Sequence, residues 1–300
     1  MVRLKGTRTS QFGSSKREGH DSSRFYNSNL YHHLKQVVVE SEFQNPIPLE
    51  ILDKIICQDS RKMDNVPDSS VHLMITSPPY NVGKEYDKDL DLRGYMRLLK
   101  DVFSETHRVL VNGGRVCINI ANVGRKPYIP YHKFIIDTML ETGYLMRGEI
   151  IWNKGAGAGV STAWGSFGSA TNPILRDTHE YLLVFSKGKF SRDGKGKQST
   201  IKKEEFLAFT KSVWEFPPES ARRVGHPAPF PVQLPYRCIQ LYTFRDDVVL
   251  DPFCGVGTTC LAALQTGRHF IGMDISSEYV QSARKRIGEH LAQRPLLPAN

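Results

Sequence analysis

Apolar residues fall along this chain in two alternating rhythms. Short runs such as "VHLMIT" at 71–76 and "VVLD" at 248–251 are apolar nearly throughout, as strands buried on both faces are. Further runs at 54–58, 115–121, 145–152, 180–186 and 269–274 bring the expected strands to seven. Between several of them the spacing changes to that of a helix. Residues 92–110 place Tyr95, Leu98, Leu99, Val102 and Phe103 on one face, and 131–142, 232–244, 258–266 and 277–291 behave similarly. The "NGG" at 112–114 and the "TG" at 142–143 are expected to end two of these helices at left-handed positions. Strands alternating with helices predict an α/β domain: a seven-stranded, mostly parallel sheet with helices on both faces.

Two stretches break the rhythm. Residues 154–171, "KGAGAGVSTAWGSFGSAT", are too rich in Gly, Ala and Ser to pack a core and read as a mobile loop carrying Trp164 and Phe167. Residues 187–203 hold Lys187, Lys189, Arg192, Lys195, Lys197, Lys202 and Lys203 against the single acid Asp193. A solvated surface loop is the plain reading of that segment, and a phosphate-contacting segment the functional one. The first 25 residues are rich in Ser, Gly, Lys and Arg and lack the apolar core of a secretory signal, so a disordered basic arm is favoured over a transit peptide.

Composition narrows the partners. A net charge of +9 favours a polyanion, and no apolar run approaches the roughly 20 residues that span a bilayer. Five cysteines (Cys57, Cys117, Cys238, Cys254 and Cys260) are an odd number with no CxxC pair. They point to packing roles in a reducing cytoplasm rather than to a disulfide framework or a zinc site, and no metal is expected.

Two constellations carry candidate chemistry. In "TSPPY", 76–80, successive prolines remove two backbone donors and fix two φ angles, so neither strand nor helix continues. The result is a stiff corner that holds Ser77 and Tyr80 at a set separation, with its carbonyls free to accept. In "VVLDPFCGVGTTCLAALQTGRHFIGMDIS", 248–276, a strand, a glycine turn, a helix and a second strand follow in order. Gly255 and Gly257 let the backbone approach a ligand, and Thr258 and Thr259 open the helix. Asp274 ends the second strand, placed to accept from two ribose hydroxyls. Cys260 stands where a dinucleotide fingerprint has its third glycine, and no Gly-Lys-Ser/Thr follows, so neither that fingerprint nor a P-loop is present.

Here "DPFCGVGTT" resembles the S-adenosylmethionine motif of DNA amino-methyltransferases, and "TSPPY" resembles their catalytic motif. With the catalytic motif first, the order resembles their permuted β class. "CQDS" at 57–60, "LVNGGRVCINI" at 110–120 and "HPAPFPVQLPYRCIQL" at 226–241 resemble further segments of the family, and the likeness covers roughly 52–291. It implies a Rossmann-like methyltransferase fold with an inserted target-recognition region. It also implies a catalytic set of Ser77, Pro78, Pro79 and Tyr80. The implied S-adenosylmethionine site comprises Asp59, Asp251, Pro252, Phe253, Cys254, Gly255, Gly257, Thr258, Thr259 and Asp274, with His226 and Pro227. Trp152 and Lys154 resemble residues at the edge of the target-base pocket, core packing being an equal reading of Trp152. The expected organisation is an arm at 1–45, a catalytic part at 46–154, target recognition at 155–217 (including the strand at 180–186) and a cofactor part at 218–300.

The implied reaction is site-specific methylation of double-stranded DNA by base flipping and direct in-line transfer, in a restriction-modification setting. No Pro-Cys pair is present, which disfavours ring-carbon methylation. Serine at the first position of the corner goes mostly with cytosine N4 in this family and aspartate with adenine N6, so N4-cytosine is expected. The alternatives are an N6-adenine enzyme, a methyltransferase acting on RNA or protein, and a non-catalytic cofactor-sensing DNA-binding module; the intact motifs favour the enzyme. Expected partners are DNA and, functionally, a cognate endonuclease, with the protein a monomer or homodimer in a prokaryotic cytoplasm or nucleoid.

Overall fold

The computed structural model describes residues 26–31, 43–81, 90–155, 165–219 and 230–292. The chain divides into two compact units, Met1–Val38 and Val39–Asn300. In the first, the described residues form one turn closed by the Tyr31 amide donating to the Ser28 carbonyl (2.9 Å). The first 25 residues, expected to be a basic arm, lie outside the described residues.

Among the described residues of the second unit the sheet has eight strands rather than the expected seven. They are β1 (Lys54–Cys57), β2 (Val71–Thr76), β3 (Leu110–Ile120), β4 (Tyr144–Asn153), β5 (His179–Lys187), β6 (Val213–Glu215), β7 (Val248–Asp251) and β8 (His269–Asp274). Their order across the sheet is β1-β8-β7-β2-β3-β5-β4-β6. Only β5 runs against its neighbours; every other pairing is parallel. The unforeseen strand, β6, is three residues long, too short for any period to register, and is held by its parallel pairing with β4.

Among the described residues six helices cover the sheet: α1 (Leu92–Val109), α2 (Tyr131–Glu141), α3 (Lys203–Phe209), α4 (Gln233–Tyr242), α5 (Thr258–Gln265) and α6 (Ser277–Ala292). Because strand side chains alternate, each central strand serves two cores. Met74, Val116 and Ile118 face one core, with Leu99 and Phe103 of α1 and Ile135 and Met139 of α2. Leu73, Ile75 and Cys117 face the other, with Leu234 and Cys238 of α4, Leu261 of α5 and Val280 of α6. This two-sided burial is why the strands read as continuous apolar runs.

Helix ends follow local chemistry, with one exception. Asp91 caps α1 by accepting from the Gly94 amide (2.7 Å), and Gly143 follows α2 at φ +98° as expected. The "NGG" does not end α1, which stops at Val109 and passes directly into β3. Instead, Gly113 (φ +76°) lies in an irregularity of β3, where Val71 and Leu73 of β2 face Leu110 and Arg115. α3 begins where the basic segment was expected to continue; the Glu205 carboxylate accepts from the Lys202 amide (2.9 Å) at its start. Among the described residues no helix is long and apolar enough to cross a membrane.

Candidate active site

The parallel strands β1, β8, β7, β2 and β3 all end on one edge of the sheet. From β2 the chain goes to β3 on one side, and from β7 it goes to β8 on the other. The crevice outside these two strand ends is therefore a topological switch point, where open α/β sheets bind ligands. A cavity of about 440 Å³ opens there, within the range of about 300–1,000 Å³ typical of small-molecule sites. Ser77, Pro78, Pro79 and Tyr80 line it from the end of β2. Pro252, Phe253, Cys254, Gly255 and Thr258 line it from beyond β7, with Asp59 from beyond β1 and Asp274 at the end of β8. Two motifs far apart in the chain thus form one wall because β2 and β7 are neighbours.

The glycine turn is held from several sides. Gly255 (φ +48°) and Gly257 (φ +75°) take left-handed conformations. A Cβ on Gly257 would lie 3.1 Å from the Cβ of Ala283 on α6. Arg286 of α6 donates to the Val256 carbonyl (3.3 Å) and to Thr258 Oγ1 (3.0 Å). Asp274 accepts from the Gly255 amide at Oδ2 and from the Ser276 amide at Oδ1, both at 2.9 Å. Burial raises its pKa, against the pull of those two amides. Ser60 Oγ donates to the Pro252 carbonyl (2.7 Å), tying the loop that carries Asp59 to the glycine turn. Asp59 also pairs with Arg61 (2.5 Å). Two carboxylates on separate strand ends, with a bare backbone turn between them, suit a nucleoside whose amine and ribose hydroxyls donate.

The corner at 77–80 rests on buried polar groups. Thr76 Oγ1 donates to Asp251 Oδ1 (2.7 Å), linking the residue before the corner to the residue before the glycine turn. Asp251 is fully buried, and burial lifts its pKa to about 6. Of the residues expected to hold the cofactor, Asp251, Gly257 and Thr259 stand behind the cavity wall rather than on it. Tyr80 donates its phenol hydrogen to Glu180 Oε2 (3.1 Å), and Ser77 Oγ donates to the phenol oxygen (3.3 Å). Asn119 Nδ2 donates to Glu180 Oε2 (2.6 Å) and Lys154 Nζ to Oε1 (3.0 Å). Burial, then the Glu180 charge, raises the Tyr80 pKa well above the ordinary phenol range. Beyond the corner, Asn81 (φ +50°) exchanges two side-chain hydrogen bonds with the backbone of Leu90. The loop expected to close over the base continues from there into 82–89, outside the described residues.

Sequence reasoning missed Glu180, Asn119 and Thr76. Asn119 lies within the segment 110–120 but is not singled out there, no motif marks Glu180, and only the pairing of β5 against β3, with Ile120 opposite Tyr181, brings Glu180 to this edge. Several other expectations are corrected. Trp152 is core: its indole donates to the Phe216 carbonyl (3.0 Å) and stacks on the Phe216 ring at 5.2 Å. Lys154 does reach the site, through Glu180. The basic segment 187–203 leaves β5 at the opposite edge of the sheet, beside Arg115 rather than Ile120. Five residues at a strand rise of about 3.3 Å separate those edges by about 17 Å. There Lys187 Nζ donates to the Leu110 carbonyl (2.6 Å) and Arg192 forms a buried pair with Asp247 (2.6 Å). Lys189 follows Lys187 there and Lys197 lies over the Phe244 ring, with Lys195 between them in sequence, whereas Lys202 and Lys203 open α3, whose Glu205 accepts from Tyr236 in the first turn of α4. Of the region 155–217, residues 165–178 lead into β5 at the cavity's edge, and 156–164 lie outside the described residues. His226 and Pro227 lie outside the described residues.

Comparison with known proteins agrees with this geometry. The model of the N6/N4 DNA methylase family matches residues 71–285. The type II methyltransferase M.MjaI of Methanocaldococcus jannaschii is 32% identical over 280 residues, covering 78% of this chain and 91% of that protein. The DNA adenine methyltransferase YhdJ of Escherichia coli is 29% identical over 248 residues, covering 75% and 79%. TTHA0409 of Thermus thermophilus, solved in complex with S-adenosyl-L-methionine, superposes with a TM-score of 0.66 at 29% identity, covering 80% of this chain and 97% of that one. The chain belongs to the N6/N4 family of DNA methylases.

Proposed function

We propose that this DNA methyltransferase transfers a methyl group from S-adenosylmethionine to the N4 amine of cytosine in double-stranded DNA. Ser77 carries the proposal: it is the first residue of the corner, and it shares one cavity wall with the glycine turn. Asp274 would hold the ribose hydroxyls, Asp59 the adenine amine, and the turn at 252–255 the methionine portion. S-adenosylmethionine would supply an electrophilic methyl group: the new N–C bond replaces the sulfonium S–C bond, S-adenosylhomocysteine leaves, and the methylated amine gives one proton to solvent. The complex of TTHA0409 with the same molecule supports this assignment.

An exocyclic amine is a poor nucleophile because its lone pair is delocalised into the ring. Ser77 Oγ and the Pro78 carbonyl accept from its two hydrogens, draw the nitrogen toward tetrahedral geometry and aim its lone pair. The prolines fix the spacing of the two acceptors. Tyr80 offers a ring face to the base, which leaves the duplex at a cost of a few kcal/mol. DNA would approach the edge that carries the cavity, where Lys126 and Arg176 are exposed and residues 165–178 would be available to read sequence. The type II name of M.MjaI favours a modification role beside a restriction endonuclease.

Adenine N6 is the second reading, favoured by the likeness to YhdJ. Nucleoside mass spectrometry of DNA treated with the purified protein separates them. N4-methylcytosine is expected, strongly reduced by Ser77→Ala; N6-methyladenine alone would overturn the cytosine assignment.

A further inference from the structure

The corner alone leaves the polarity of Ser77 open. A hydroxyl can donate or accept, whereas the target amine must be met by an acceptor. The groups behind Ser77 remove the choice. The Glu180 carboxylate, paired with Lys154, accepts only, so the Tyr80 phenol at 3.1 Å donates to it. That uses the phenol's single hydrogen, and toward Ser77 Oγ, 3.3 Å away, Tyr80 presents lone pairs. The Ser77 hydrogen therefore points to Tyr80, and the Oγ lone pairs are left for the cavity. Asn119 keeps the same sense, donating to Glu180 Oε2 and, at 3.4 Å, to the phenol oxygen.

We infer that Glu180 is a positioning residue that fixes Ser77 as a hydrogen-bond acceptor, through Tyr80, and so selects a base bearing an amine over one bearing a carbonyl. Cytosine and adenine offer an amine where thymine and guanine offer an acceptor oxygen. The inference rests on the proposal that Ser77 accepts from the target amine.

The test uses the full-length protein, labelled S-adenosylmethionine and unmodified genomic DNA, with Glu180→Gln, Ser77→Ala and the double variant. The glutamine keeps the shape of Glu180 but can donate to the phenol, which reverses the chain. Glu180→Gln should lower kcat by about 10- to 150-fold, as expected for one charge-assisted hydrogen bond. KM for DNA and the calorimetric affinity for S-adenosylmethionine should hold within about twofold, the signature of an interaction made only in the transition state. In the Ser77→Ala background no hydroxyl remains to orient, so Glu180→Gln should cost less than about threefold more. Equal losses in both backgrounds would overturn the inference while leaving Ser77 its role. Full activity of Ser77→Ala would instead remove the reading beneath it, and the inference with it. Should Glu180→Gln fail to fold, Tyr80→Phe cuts the same chain and must show the same loss and the same coupling to Ser77→Ala; full activity there overturns the inference.

Discussion

Replacing Asp274 with asparagine separates two jobs that one carboxylate performs. Its oxygens each accept from a backbone amide, Gly255 at Oδ2 and Ser276 at Oδ1, both at 2.9 Å. Asparagine has one accepting oxygen, so one amide would face an NH₂ group and lose its partner. An unsatisfied amide of this kind costs about 1–3 kcal/mol. Burial of the Asp274 charge is itself unfavourable, as its raised pKa shows, so the lower half of that range is expected. At about 2–4 °C per kcal/mol for a domain near this size, the melting temperature without ligand should fall by about 2–8 °C.

The loss in binding should be larger. Ribose hydroxyls that donate to a carboxylate form charge-assisted bonds worth about 1.5–3 kcal/mol each, so losing one weakens affinity about 10- to 150-fold. Calorimetric titration with S-adenosylmethionine reads the second effect, and thermal unfolding of the free protein reads the first. A lowered melting temperature with unchanged affinity would refute the ribose role and leave Asp274 as a brace of the glycine turn alone.

Three further outcomes are expected. Gly257→Ala places a side chain at φ +75° and 3.1 Å from Ala283, so stability should fall by about 1–2 kcal/mol in denaturant unfolding, together with cofactor affinity; unchanged values would mean the turn relaxes freely. Replacing Lys126 or Arg176 by alanine should reduce the slope of DNA affinity against salt by about 1 each, whereas Lys195→Ala and Lys197→Ala should leave it unchanged; the reverse pattern would return DNA to the far edge. Asp251, with a pKa near 6 in the fold against 3.8 otherwise, contributes stability that is complete below about pH 4 and lost as pH rises through 6. Relative to the wild type, Asp251→Asn should therefore gain about 3 kcal/mol between pH 4 and 7. Taking that difference cancels His72 and His107, whose pKa values burial lowers to about 4 and which act with the opposite sign. A flat difference would show that Asp251 is ionised without penalty.

Both chemical elements of the site are written in local sequence. Two prolines after an apolar strand impose the corner whatever surrounds it, and glycines at 255 and 257 admit the turn whatever binds there. Continuous apolar runs announce strands buried on both faces, and the helix period of 92–110 survives as α1. These features depend on backbone freedom and side-chain character within a few residues, which a chain carries with it. Direction and register belong to partners far away in sequence. β5 could have run either way through the sheet; its antiparallel pairing with β3 sends Lys187 to the remote edge and brings Glu180 to Tyr80. Net charge therefore located the basic segment along the chain but not on the molecule. Trp152 looked equally like a pocket residue and a core residue until β6 supplied the neighbouring Phe216. Asp251 meets Thr76 only through the pairing of β2 with β7. In each case the deciding contact is a hydrogen bond or ring stack that exists only once the sheet has closed.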